Sequence, residues 1–168
     1  MNKILYALAF VALLCAGIAS PAAAKQMQFP EKATIGFTFD LPDGWLAALD
    51  PPGTTLTVRT PGDNATAMIL TVIDDPNEKG TLEDVTKAAL EVGKAEPYSK
   101  QEDTDISGVT GKTFFSTMSS GGVDFNLRMS VFKIGTTYLT ATEATQAGMT
   151  EEQHHLLATL GLAITGGQ

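Results

Sequence analysis

Four short groups of side chains carry the residue types from which an active or metal-binding site could be built. Asp103-Thr-Asp105-Ile-Ser107-Gly108 places oxygens at alternate positions and then a glycine, as in the first half of a helix-loop-helix calcium loop. Such a loop closes on a bidentate glutamate at its twelfth position, which here is Phe114, so a solvated acidic turn is expected. Asp74 and Asp75 are adjacent, and adjacent strand residues point to opposite faces, so the pair cannot hold one ion without a bend. His154 and His155 are the only histidines; Glu151 and His155 stand at i and i+4 and could share a metal, but two ligands do not close a site. Gly111-Lys112-Thr113 ends like a phosphate-binding loop, yet the first glycine of that motif belongs five residues before the second, where the chain has Ile106. A turn leading into a strand is the plainer reading. No G-x-S-x-G elbow is present to pair with either histidine. The sequence thus assigns no catalytic, cofactor-binding or metal-binding residue, and a triad assembled from distant positions stays open.

Compartment and charge narrow the function further. Lys3, an uncharged apolar run over residues 4–19 and the small residues Pro21-Ala22-Ala23-Ala24 have the layout of a secretory signal peptide, with cleavage expected after Ala24. The apolar run is short for a membrane span and no basic stop-transfer cluster follows, so no stable membrane anchor is expected. Cys15, the single cysteine, follows Leu13-Leu14 where a lipidation signal needs a small residue, and it leaves with the signal. The exported chain then has no disulfide to rely on. In the full sequence 19 acidic residues outweigh 11 basic ones for a net charge of −8, which deepens by one when Lys3 is removed. Scattered single lysines and arginines exclude a nucleic-acid footprint, and an anionic lipid surface would repel the domain. A periplasmic or secreted location is expected, and small cations, a basic protein such as another envelope protein, or a neutral partner surface remain open as partners.

The rest of the chain reads as one domain over residues 35–168, after a short leader at 25–34. Ile35, Phe37, Phe39 and Leu41 alternate with small or polar residues, the period of a half-buried strand. Pro42-Asp43-Gly44 is a turn with proline expected at its first central position, and Trp45 beyond it is expected in the core. Leu56 and Val58 alternate with threonines; Pro61-Gly62-Asp63-Asn64 then turns the chain, and the Asn64-Ala-Thr66 sequon is read as part of that turn. Residues 67–73 (A-M-I-L-T-V-I) are nearly all apolar, which marks a central strand covered on both faces. Thr81 caps a helix whose stripe is Leu82, Val85, Ala89 and Val92, ending near Gly93 and Pro97. Strands at 98–103, 112–118, 123–133 and 137–144 follow as a meander with glycine turns, Met118 and Met129 serving as core filler. In the third of these Asp124, Asn126, Arg128 and Ser130 form the polar face. A last helix opens at Thr150 with Gln153 at capping-box spacing and buries Leu156, Leu157 and Leu160. The expected class is α+β, an antiparallel β-sheet with helices packed on its faces.

The stretch Phe37-Thr-Phe-Asp-Leu-Pro-Asp-Gly-Trp45 resembles the F-x-F-x-L-P-x-G-W opening strand and turn of PsbP-like domains. Thr81-Leu82-Glu83-Asp84, Gly135-Thr-Thr-Tyr-Leu-Thr140 and the leucine-rich end extend the resemblance over residues 35–164. That superfamily includes the PsbP subunit of photosystem II, DcrB-type bacterial envelope proteins and a nuclear-import factor that binds the GTPase Ran. The resemblance implies a PsbP-like sandwich and an accessory role exercised by binding other proteins, with no catalytic residues and no cofactor. The chain has no lipidation cysteine and no photosystem-specific motif, so it resembles the soluble members and no photosynthetic role carries over. The competing functions are an envelope hydrolase with a distributed acidic site and a weak cation-binding protein using Asp103 with Asp105 or Glu151 with His155.

Overall fold

A computed structural model describes residues 24–61, 66–77, 80–149 and 159–166. Residues 1–23 of the signal sequence, Asn64, Glu151, His154, His155 and residues 150–158 of the expected last helix lie outside the described residues, whereas Leu160 is described and buried as expected. The described elements, in chain order, are β1 (Lys25–Phe29), β2 (Gly36–Leu41), β3 (Leu46–Leu49), β4 (Thr55–Arg59), β5 (Ala67–Asp74), α1 (Leu82–Val92), β6 (Lys100–Ile106), β7 (Val109–Ser120), β8 (Val123–Ile134), β9 (Thr137–Gln146) and β10 (Ala163–Thr165). They form a seven-stranded antiparallel sheet in the order β3-β4-β5-β9-β8-β7-β6 and a three-stranded one in the order β1-β2-β10.

The fold is more β-rich than the expected helix-covered sheet. What packs on one face of the large sheet is the small sheet: Phe29, Phe37, Phe39 and Ile164 meet Leu56, Val58, Met68, Leu70, Phe132, Leu139 and Ala141. Helix α1 lies on the opposite face, where Leu90 joins Phe114, Met118, Leu127, Met129 and Val131. Its capping box joins Thr81 and Asp84 reciprocally, as two backbone donors at a helix start require. The buried residues are Thr86 and Leu90, whereas Val92, expected in the stripe, is 39% exposed. The helix rests on β7 and β8, and in its last turn Leu90 faces that sheet while Val92 faces away from it.

Three further expectations are corrected. Residues 25–29 are not leader but strand β1, which pairs with β2 along its whole length. β5 is a central strand, between β4 and the middle strand β9, but it is not covered along its whole length. Met68, Ile69 and Leu70 are buried on both faces, but Thr71, Val72 and Ile73 are half-buried, so coverage ends midway along β5. Pro42 opens the turn, because its carbonyl accepts the Trp45 N–H at 3.2 Å; Asp43 and Gly44 are central, with Gly44 at φ 78°. Such a φ suits glycine, having no Cβ to clash. Trp45 is half-buried and packs on the rim of the small-sheet core, while Met118 and Met129 are buried as expected.

Candidate functional site

Lys112, Asp105, Asp74 and Asp75, all singled out for chemistry, are held by structural bonds. Lys112 lies inside β7, where no phosphate-binding loop exists, and its Nζ donates to Glu83 Oε1 at 2.8 Å, tying sheet to helix. The Gly111 N-terminal to it faces Phe132; a Cβ there would come within 2.5 Å of the ring. Asp103 and Asp105 lie on the outer strand β6, and Asp105 Oδ1 accepts the Gly108 N–H at 2.9 Å, closing the tight turn at Ser107-Gly108. Asp74 accepts the Thr137 hydroxyl at 2.8 Å, and Asp75 accepts the backbone N–H groups of Asn77 and Gly80. Among the described residues no three His, Cys, Asp or Glu side chains group as metal ligands would.

Sequence reasoning missed Glu143. Its side chain is 3% exposed on β9, with Arg128 Nη1 3.6 Å from Oε2, while the arginine side chain as a whole is 41% exposed and its Nε is buried without a hydrogen-bond partner. The arginine's charge offsets the cost of burying the carboxylate. A signal was available: the short turn Ile134-Gly135-Thr136 sets Ile134 opposite Thr137, and counting back from it brings Arg128 opposite Glu143. The supposed polar face of β8 is therefore partly interior, and Ser130, also on it, is buried and hydrogen-bonded to Thr113 at 2.8 Å.

Strand β3 is the other unforeseen feature. Leu46-Ala47-Ala48-Leu49 ends the large sheet with all four residues exposed, Leu46 at 59% and Leu49 at 58%. It follows the Pro42 turn and, among the described residues, pairs only with β4; Asp50 closes its far end by accepting the Thr54 and Thr55 N–H groups at 2.8 Å each.

No protein-family model matches the sequence, and no curated protein matches it. Among solved structures, cyanobacterial PsbP (CyanoP) from Synechocystis sp. PCC 6803 superposes with a TM-score of 0.61 at 18% identity, over 91% of this chain and 98% of that one. The chain has a PsbP-like fold. LpqN of Mycobacterium tuberculosis, described as involved in cell envelope biogenesis, has a TM-score of 0.53 at 12% identity, covering 84% of this chain and 91% of that one. A Bacteroides thetaiotaomicron structure gives 0.51 at 12% identity, and this chain spans 44% of its length. Within the PsbP-like fold the motif residues Phe37 and Phe39 are buried between the sheets, which explains their alternation as packing. No helix among the described residues is long and apolar enough to cross a membrane.

The same PsbP-like frame holds two carboxylates below their ordinary values. Glu83 is lowered first by the hydrogen bond from Lys112, and Asp84 first by the Thr81 backbone N–H. A carboxylate whose pKa falls on folding stabilises the protein fully above its unfolded value, and that contribution is lost as pH falls through the folded one. The melting temperature is therefore expected to drop below the ordinary values of 4.5 for Glu83 and 3.8 for Asp84. Replacing both, Glu83→Gln with Asp84→Asn, should flatten that limb; melts at stepped pH that keep the full slope would refute the assignment.

Proposed function

We propose that the chain is an exported, non-catalytic accessory protein of the cell envelope that works by binding another protein. The observation that carries this reading is β3, an uncharged apolar strand exposed at one end of the large sheet. Exposed apolar residues grouped on one element are what a partner buries. The signal sequence supports export, and the likeness in fold to LpqN supports an envelope setting. The negative net charge favours a partner with a basic surface, whose association would slow with added salt.

Cross-linking in the native envelope followed by mass spectrometry tests the proposal. A protein starting at Lys25 and joined reproducibly to one partner is expected. Absence of any partner, together with turnover of an ester, peptide or glycan that acidic-residue substitutions abolish, would overturn it in favour of a hydrolase.

A further inference from the structure

The two ends of the large sheet are built differently. β6 has Lys100, Glu102, Asp103 and Asp105 along it, charges that a pairing strand would have to bring close or bury. That is how proteins commonly protect a sheet edge. β3 has no charge and no proline, and both its faces are apolar. Its backbone adds a second feature. The Asp50 N–H bonds to the Thr55 carbonyl, and the register continues through Ala48 opposite Thr57 and Leu46 opposite Arg59. Antiparallel strands direct their polar groups toward the partner at every second residue, so Ala47 and Leu49 point their N–H and C=O groups away from β4.

We infer that β3 is a docking edge for an extended apolar segment with basic flanks from a partner protein, which adds to the sheet as an eighth strand beside Leu46–Leu49. This rests on the protein-binding reading above and names the partner's chemistry. The apolar centre follows from Leu46, Ala47, Ala48 and Leu49, and strand addition follows from the outward groups of Ala47 and Leu49. The basic flanks follow from charge. Asp43 and Asp50 bracket the edge, and β3 itself has no lysine or arginine, Arg59 lying opposite Leu46 on the inner neighbour β4. A second copy is a poorer occupant. An antiparallel two-fold pairing sets the Asp43 end of one copy beside the Asp50 end of the other, between chains that are each strongly acidic.

The probe is a synthetic peptide with a Val-Thr-Val-Thr centre between paired lysines, compared with its glutamate-flanked counterpart on the full mature chain. The lysine peptide is expected to confer amide-exchange protection on Ala47 and Leu49, weakening as salt is raised, while the glutamate peptide confers none. Ala47→Pro removes an outward N–H and leaves the β3–β4 ladder intact, so it should keep the melting temperature and lose the protection at Leu49. Leu49→Lys provides the same test by charge should the proline variant not fold. No protection by the lysine peptide, or equal protection by both peptides, overturns the proposal. So does protection without peptide accompanied by dimers in sedimentation, which would assign the edge to a second copy. In the envelope, an Ala47→Pro chain that still cross-links the wild-type partner defeats the edge alone; a wild-type chain that cross-links nothing defeats the broader binding reading.

Discussion

Leu70→Asp is expected to give a chain without a cooperative thermal transition. Leu70 is fully buried in β5, opposite Leu56 on one side and Ala141 on the other, beneath the aromatic residues of the small sheet. A carboxylate there has no cationic partner in its packing cluster, and burying an unpaired charge costs more than a domain's whole margin of about 5–15 kcal/mol unless the group is neutralised. Even neutral, it replaces a leucine in a close-packed core, a loss of roughly 2–5 kcal/mol. The matched control is Asp124→Lys at the exposed start of β8, which removes one hydrogen bond from the Ser119 hydroxyl and should change stability by less than about 1 kcal/mol. Circular dichroism melts decide it. A folded Leu70→Asp chain with a near-native midpoint would mean that the small sheet does not cover β5.

The strands were legible where their chemistry alternates or is uniformly apolar. β2 shows through Phe37 and Phe39, β5 through Met68, Ile69 and Leu70, and α1 through the Thr81 cap. β9 was found as a strand, yet its place in the middle of the sheet was hidden, because four of its buried residues are threonines. Threonine can be interior when its hydroxyl is satisfied locally, as Thr137 is by Asp74, and composition cannot reveal that bond. The second sheet was hidden for another reason. β1 and β10 are short and join β2 from opposite ends of the chain, so no local pattern announces them. At the candidate site, Asp103 and Asp105, expected in an acidic turn, lie in strand β6, and only Ser107-Gly108, closed by Asp105, makes the turn. Glu143 depends on a partner across the sheet, and β3 was invisible because four apolar residues read as interior whether or not anything covers them.

Gly111 is the clearest case of a residue whose apparent chemistry is packing. Its neighbour Lys112 suggests phosphate binding, but the backbone places Gly111 directly under Phe132 on β8, its register partner. A Cβ at this position would lie 2.4 Å from the Val131 carbonyl oxygen and 2.5 Å from Phe132 Cδ1. The carbonyl belongs to the sheet backbone and cannot move aside alone, and Phe132 is fully buried against Leu139 and its neighbours, so its ring has no free space to enter. Gly111→Ala is therefore expected to destabilise the protein by about 3 kcal/mol, at the upper end of overpacking costs. In a chain of this size that is a fall in melting temperature of roughly 10 °C. Thr110→Val, one residue earlier on the exposed face of β7, should stay within about 0.5 kcal/mol of wild type. A Gly111→Ala protein that melts with the wild type would mean that the ring does not sit over the glycine, and the alignment of β7 with β8 would have to be moved. Since a slip of one residue turns every side chain to the other face, that single melt also tests the burial of Phe114 and Met118 on the helix side of the sheet.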